Sequence, residues 1–232
     1  MARPDDVRLT IGRSARTTGP RRVVPRLVGV LLVLAGLALG AFVAWEYWGT
    51  TWVAQRHQAE ATRQLEDGWA DGRATARVGA GEVTAIVRIP AFGPSYAVPL
   101  LEGDSEDVLA TGFGHVPGTA PPGEEGNAVL AGHRVTHGEP LRDMPSLEPG
   151  DTVVVDTHDR RLVYELDTPG DGLEVDAGAS WVLDAAPRNP DGGPDPASAP
   201  RLLTLVTCAD LFHSDERLVA FAHLVSDGPR PS

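Results

Sequence analysis

At 232 residues the chain can hold one domain of ordinary size plus an appendage, and a domain of that size buries enough apolar surface to fold without disulfide staples. It contains no Lys, so all 20 basic residues are Arg, and the formal charge is −12. That charge is uneven: residues 1–26 carry seven Arg against Asp5 and Asp6, a net of +5, which leaves −17 for the remainder. A region so acidic repels nucleic acid, whose binding rests on basic side chains neutralising phosphates, so nucleic acid is not an expected partner. Arg as the sole basic residue, together with abundant Ala, Gly and Pro, points to a high-GC bacterial genome.

Residues 1–26 are rich in Arg, Pro and Thr and lack apolar periodicity, which predicts a disordered cytoplasmic tail. Residues 27–45 run from Leu27 to Trp45 without a charge, long enough at 1.5 Å per residue to cross most of a hydrocarbon core of roughly 30 Å. The run exceeds the apolar stretch of a cleaved signal peptide, and Trp45, Tyr47, Trp48 and Trp52 follow it where an aromatic belt meets the headgroups. A retained single-pass anchor is therefore expected. Arg21, Arg22 and Arg26 before it and Glu46 after it place the N-terminus in the cytoplasm and the rest outside. Residues 46–78 are polar and free of Pro, as in a juxtamembrane helical stalk serving as a spacer.

From residue 79 to 226 short apolar runs alternate with Gly, Pro and Asp, the texture of an all-β domain. Strands are expected at Val83–Ile89, Tyr96–Leu101, Ala128–Ala131, Thr152–Asp156, Arg161–Leu166, Leu202–Thr207 and Leu218–Val225. The fourth and fifth should join as a hairpin. One short helix, Asp104–Ala110, would be capped by Asp104. Seven or more strands with little helix indicate a closed barrel or a sandwich. Pro187–Pro200 is a long loop too rich in Pro, Gly and Asp to pack a core, and residues 227–232 read as a flexible C-terminus.

Cys208 is the single cysteine, so it cannot form an intramolecular disulfide in the oxidising space where the topology puts it. A buried, inert thiol is one reading. The other is a nucleophile: Leu202–Thr207 reads as a buried strand, and a thiol at its end is rigidly held yet reachable. A thiol near its ordinary pKa needs an imidazole to take its proton and return it to the leaving amine. His57, His158 and His223 read as structural or solvent-facing; His115, His133, His137 and His213 remain. His133 ranks first because it follows the strand Ala128–Ala131 and Gly132; His137, four residues on, ranks second. A tetrahedral intermediate also needs a cationic donor. Arg217 opens the strand after Cys208 and suits that role, with Arg134 as its rival. No metal or cofactor is expected, since no pair of histidines with Cys208 has the spacing of a structural zinc site.

Thr204-Leu205-Val206-Thr207-Cys208 resembles the TLxTC signature of the sortase family, with Arg217 where that family has its arginine. Asn127–Gly138 resembles the family's histidine motif, and Gly114–Ala120 is similar to the segment before that motif in class E sortases of high-GC Gram-positive bacteria. The resemblance spans about Val83–Val225. It implies a mainly β protein, a closed eight-stranded barrel with one or two short helices. It also implies a cysteine transpeptidase that cleaves a C-terminal LAxTG- or LPxTG-like sorting signal between Thr and Gly and passes the acyl group to an amine such as lipid II of the cell wall. By the same resemblance Cys208, His133 and Arg217 are catalytic, and Thr207, Val116, Ala131 and His137 contact the peptide. Val116 stands where Tyr is common and Ala209 where Pro is common. The loop 187–200 matches a family loop that walls the peptide groove. The competing readings are another exported cysteine acyltransferase, such as an L,D-transpeptidase, whose Ser-x-Gly-Cys context is absent, and a tethered scaffold or binding domain with an inert Cys208.

Overall fold

A computed structural model describes residues 23–44, 50–135, 138–208 and 216–231, and the chain divides into two units after Ala44. The first described element, α1 (Val23–Ala44), contains the 18-residue stretch Pro25–Phe42 of mean hydropathy 2.0. From Leu27 to Phe42 its Leu, Val and Phe side chains are exposed.

The second unit starts with α2 (Thr50–Ala70) and continues through β1 (Ala76–Val78), β2 (Gly81–Arg88), β3 (Val98–Glu102), α3 (Glu106–Thr111), β4 (Phe113–His115) and β5 (Gly126–Ala131). It ends with β6 (Thr152–Asp156), β7 (Arg160–Leu166), β8 (Glu174–Asp176), β9 (Arg201–Cys208) and β10 (Glu216–Pro229). Eight of the ten strands form a closed circuit, β2-β3-β4-β5-β9-β10-β7-β6, sealed by the pairing of β6 with β2. The pairs β3–β4 and β5–β9 are parallel and the rest antiparallel. Strands β1 and β8 are additions, paired to β2 and β10.

Period-2 alternation decides what enters the barrel. Leu100, Leu130, Val153, Val155, Leu162, Tyr164, Leu203, Leu205, Leu218 and Ala220 form its interior, each buried. The Tyr164 hydroxyl accepts the Gly123 N–H at 2.6 Å, so its one polar atom is satisfied. At the β2–β6–β7 seam Asp156, 2% exposed, accepts from Arg161 Nε at 2.6 Å and Nη2 at 2.8 Å and from Arg88 Nε at 3.0 Å. Burial alone would raise its pKa, but the hydrogen bonds and charges of Arg161 and Arg88 outweigh this and hold the carboxyl below its ordinary value.

Several expectations need correcting. Residues 50–78 do not stand apart as a spacer: Ala61, Leu65 and Trp69 of α2 are buried against Ala76, Val83, Ile86, Leu101 and Val108, and β1 pairs with β2. Each large side chain buried there contributes about 1.5–3 kcal/mol, so the helix is held to the barrel by its own apolar stripe. The residue preceding α3 is Ser105, not Asp104, and no side chain caps the helix. The end of the chain is tied down: β10 runs to Pro229, Asp227 binds Arg160 at 2.6 Å, and the Arg230 guanidinium lies 4.4 Å from the Trp69 ring centre. Strands β1, β4 and β8, three residues each, were not anticipated as strands.

Candidate active site

Strand β9 lies between β5 and β10, and the two registers together define the site. On the antiparallel side Arg217 is the direct Cα partner of Cys208, and Leu218 that of Thr207. On the parallel side Ala131 pairs with Val206, and the Gly132 N–H donates to the Val206 carbonyl at 3.1 Å. His133 lies two residues past Ala131 and Cys208 two past Val206, so the same register, continued beyond its last pair, would set them level. Adjacent strands are about 4.8 Å apart, so Cys208 and Arg217 form a row across β9 and β10, which His133 would extend.

The row belongs to the outer face of the barrel. Leu203 and Leu205 of β9 and Leu218 and Ala220 of β10 point inward, so Val206, Val219, Phe221 and the positions of Cys208 and Arg217 share the opposite face. That outer face is covered next to the row by Leu173, Val175, Trp181 and Val182, the last two from a short 3-10 helix, Ser180–Leu183. Strand β8 sits at the row itself, Val175 being the Cα partner of Arg217. The wall is thus supplied by residues 173–183. Pro187–Pro200 instead returns the chain to the opposite end of β9, where the Pro200 carbonyl accepts the Gly126 N–H at 2.8 Å.

A buried polar pair holds the two strands in register. Thr204 Oγ1 donates to Asn127 Oδ1 at 2.7 Å, and Asn127 Nδ2 donates to the carbonyls of Val182 at 3.0 Å and Asp184 at 3.2 Å. The amide is fully used, and it joins β5, β9 and the wall at one point.

The other expected residues divide clearly. Ala131 and Val116 are half-buried, and Val116 N–H donates to the Val129 carbonyl at 2.9 Å, extending β4 alongside β5 at the edge of the same face. Thr207 is 3% exposed, and alternation turns it to the interior with Leu218. His137 and His213 lie outside the described residues. His115 is committed elsewhere, with Nδ1 3.0 Å from Glu102 and Nε2 3.0 Å from the Ala120 carbonyl. His158 and His223 pair with Asp159 at 2.6 Å and Asp167 at 2.7 Å. His133 is the described histidine that follows β5, two residues beyond its end.

Among the described residues no group of His, Cys, Asp or Glu is disposed to hold a metal ion. A large cavity of about 890 Å3 opens between α2, the β1–β2 turn and α3, lined by His57, Glu60, Arg77 and Asp107 among others, and none of the row residues lines it. The chemistry is therefore assigned from the register.

The chain is similar to known proteins of one family. A family model described as the sortase domain matches residues 87–225. Sortase SrtE1 of Streptomyces coelicolor is 34% identical over 225 residues, covering 93% of this chain and 61% of that protein. Sortase SrtE2 of the same organism is 30% identical over 232 residues, covering 93% and 88%. The chain thus spans less than two thirds of the length of the first relative. The structure of sortase E from Streptomyces avermitilis superposes with a TM-score of 0.56 at 33% identity, covering 67% of this chain and 97% of that one. Sortase E1 of Streptomyces coelicolor, solved with a tripeptide in its active site, gives 0.54 at 34% identity, covering 67% and 94%.

Proposed function

Because this chain belongs to the sortase family of cysteine transpeptidases, with its likeness concentrated in class E, we propose that it cleaves a C-terminal LAxTG- or LPxTG-like signal between Thr and Gly and joins the shortened protein to an amine of the cell wall. The observation that carries the reading is the pairing of Cys208 with Arg217 across β9 and β10, with β5 running alongside β9 toward His133.

In the first half-reaction the Cys208 sulfur attacks the carbonyl carbon of the signal's Thr, with His133 accepting the thiol proton or already holding it. The tetrahedral intermediate carries its negative charge on the former carbonyl oxygen. Arg217, on the far side of Cys208 from His133, supplies the guanidinium for that oxygen, a fixed charge of the kind worth about 10²–10³ in rate. Collapse breaks the C–N bond, and His133 gives its proton to the departing Gly amine, leaving a thioester on Cys208. In the second half-reaction an acceptor amine loses a proton to His133 and attacks the thioester. The sulfur then leaves and the new amide is released. Lipid II is the proposed acceptor, and Val116, Ala131 and His137 are proposed to contact the signal peptide.

The apolar stretch Pro25–Phe42 supports a single-pass anchor, with the Arg-rich tail in the cytoplasm and the catalytic unit outside. That topology brings secreted substrates and the wall precursor to the same side of the membrane.

The test is mass spectrometry of the protein incubated with a Leu-Ala-x-Thr-Gly peptide and a glycine-based amine, beside Cys208→Ala. Cleavage at Thr–Gly with a Thr–amine product, absent in the variant, is the expected result. No product and no acyl adduct on Cys208, with Leu-Pro-x-Thr-Gly peptides as well, overturns the reading.

A further inference from the structure

Resting on the sortase reading and on Val116 as a contact of the signal peptide, we propose that His115 is a positioning residue of the peptide groove: with the Thr119 hydroxyl it holds a bulge beside β5 that fixes Val116 on the outer face of the barrel.

Leu130 enters the barrel and His115 is its Cα partner, so His115 points to the inner side. Val116, next in the chain, points to the outer side with Val129 and Ala131. Past His115 the pairing with β5 turns irregular. Val116 N–H donates to the Val129 carbonyl at 2.9 Å, and Ala120 N–H donates to the Asn127 carbonyl at 3.0 Å. Four steps along one side thus match two along β5, a bulge of two extra residues that turns back at Gly118, φ +86°. In a regular antiparallel pair the Val129 N–H would return to the Val116 carbonyl. Here the Thr119 hydroxyl stands between them: it accepts the Val129 N–H at 3.3 Å and donates to the Val116 carbonyl at 2.7 Å.

His115 completes the arrangement. Its Nε2 lies 3.0 Å from the Ala120 carbonyl and 3.2 Å from Thr119 Oγ1. A carbonyl only accepts, and the hydroxyl has given its one hydrogen to Val116, so Nε2 carries a proton and donates to both. One ring atom therefore ties the far end of the bulge to the hydroxyl inside it. Glu102, the Cα partner of His115 on β3, fixes the ring from the other side, 3.0 Å from Nδ1. Phe113, two residues earlier on the same face, belongs to the apolar core, and an apolar side chain at position 115 would avoid the cost of desolvating an imidazole. A histidine only 6% exposed is accounted for by what it holds. Bulges beside a site re-aim a side chain, and the side chain at the root of this one is Val116.

The test uses the full chain in detergent and steady-state cleavage of a Leu-Ala-x-Thr-Gly peptide, with the rate of Cys208 alkylation by iodoacetamide as a measure of the thiol that needs no peptide. Thr119→Val keeps the shape and removes the hydroxyl; Thr119→Ser keeps the hydroxyl; His115→Phe keeps a ring and removes both nitrogens. Expected is a KM raised about tenfold in Thr119→Val and His115→Phe. Their kcat and alkylation rate should stay within about twofold of the parent, and Thr119→Ser should keep the parent's KM. If His115→Phe does not fold, the two Thr119 variants decide alone. A side chain that served stability only would lower the thermal midpoint and the number of active molecules, which reduces the apparent kcat and leaves KM in place. That result, or an equal rise of KM in Thr119→Ser, overturns the role of the bulge while the parent's turnover keeps the enzyme reading. A parent that neither cleaves Leu-Ala-x-Thr-Gly or Leu-Pro-x-Thr-Gly peptides nor forms an acyl adduct on Cys208 overturns both.

Discussion

Thr204 donates a 2.7 Å hydrogen bond to Asn127, both side chains fully buried, and this bond links the strand that leads to His133 with the strand that leads to Cys208. Replacing Thr204 with Val keeps the shape and leaves Asn127 Oδ1 without its donor. The variant should lose about 1–3 kcal/mol, read as a lower urea midpoint at an unchanged m-value. An unchanged midpoint would mean that the bond contributes nothing to holding the two strands.

Arg217 stands directly across from Cys208, and its proposed work needs a planar, multi-donor cation. Arg217→Ala should lower kcat about 10²–10³-fold with a small change in KM, and Arg217→Lys should recover only part of it. Single-turnover acylation followed by mass spectrometry separates the first half-reaction from product release. A fully active Lys variant would show that any nearby positive charge suffices.

Asp156 makes stability depend on pH in a definite direction. Its pKa is depressed in the folded protein, so its stabilisation is complete above the unfolded value of about 4 and is lost as the pH falls through the lower folded value. Asp156→Asn should cost about 3–5 kcal/mol near neutrality, since it leaves Arg88 and Arg161 facing a neutral amide. It should also flatten the decline in stability below about pH 4. Unfolding curves at a series of pH values test both; an equally steep acid limb in the variant would assign the decline to other carboxylates.

Gly170 is a packing constraint. A Cβ there would fall 1.8 Å from the Met144 carbonyl oxygen, and the Gly170 N–H already donates to the Leu147 carbonyl at 2.9 Å. The backbone cannot yield without losing that bond, so Gly170→Ala should cost about 1–3 kcal/mol. Gly192→Ala, at a site with no neighbour within 4 Å, provides a comparison in which strain at φ +75° is the only penalty. Thermal unfolding of the pair should rank Gly170→Ala as the more damaged.

The parts of this fold that were legible in the sequence are those that carry their own period. Thr152–Asp156 and Arg160–Leu166 alternate and are joined by a tight turn, and they pair as the pattern requires. The buried run before Cys208 and the strand opened by Arg217 were equally plain. Strands of three residues cannot show a period of two: β4 and β8 exist because β5 and β10 offer them partners. The parallel β5–β9 pairing, whose continuation would set His133 level with Cys208, has no connecting turn to announce it. Thr207 and Cys208 are neighbours in one motif, yet alternation sends neighbours in a strand to opposite faces. The stripe Ala54, Gln58, Ala61, Leu65, Trp69 was present in the sequence at helical spacing, but small residues and one amide made it look like a solvated spacer.

The parallel pairing of β5 with β9 also bears on timing. The two strands are separated by residues 132–200, since parallel neighbours need a long crossover, and contacts so distant in sequence form late. Cys208 ends β9, which follows six of the eight barrel strands in the chain. Until β9 is seated between its neighbours the thiol has no imidazole level with it. On the proposed mechanism the thiol is therefore chemically quiet in the unfolded chain, and its reactivity switches on as the last strands close the barrel.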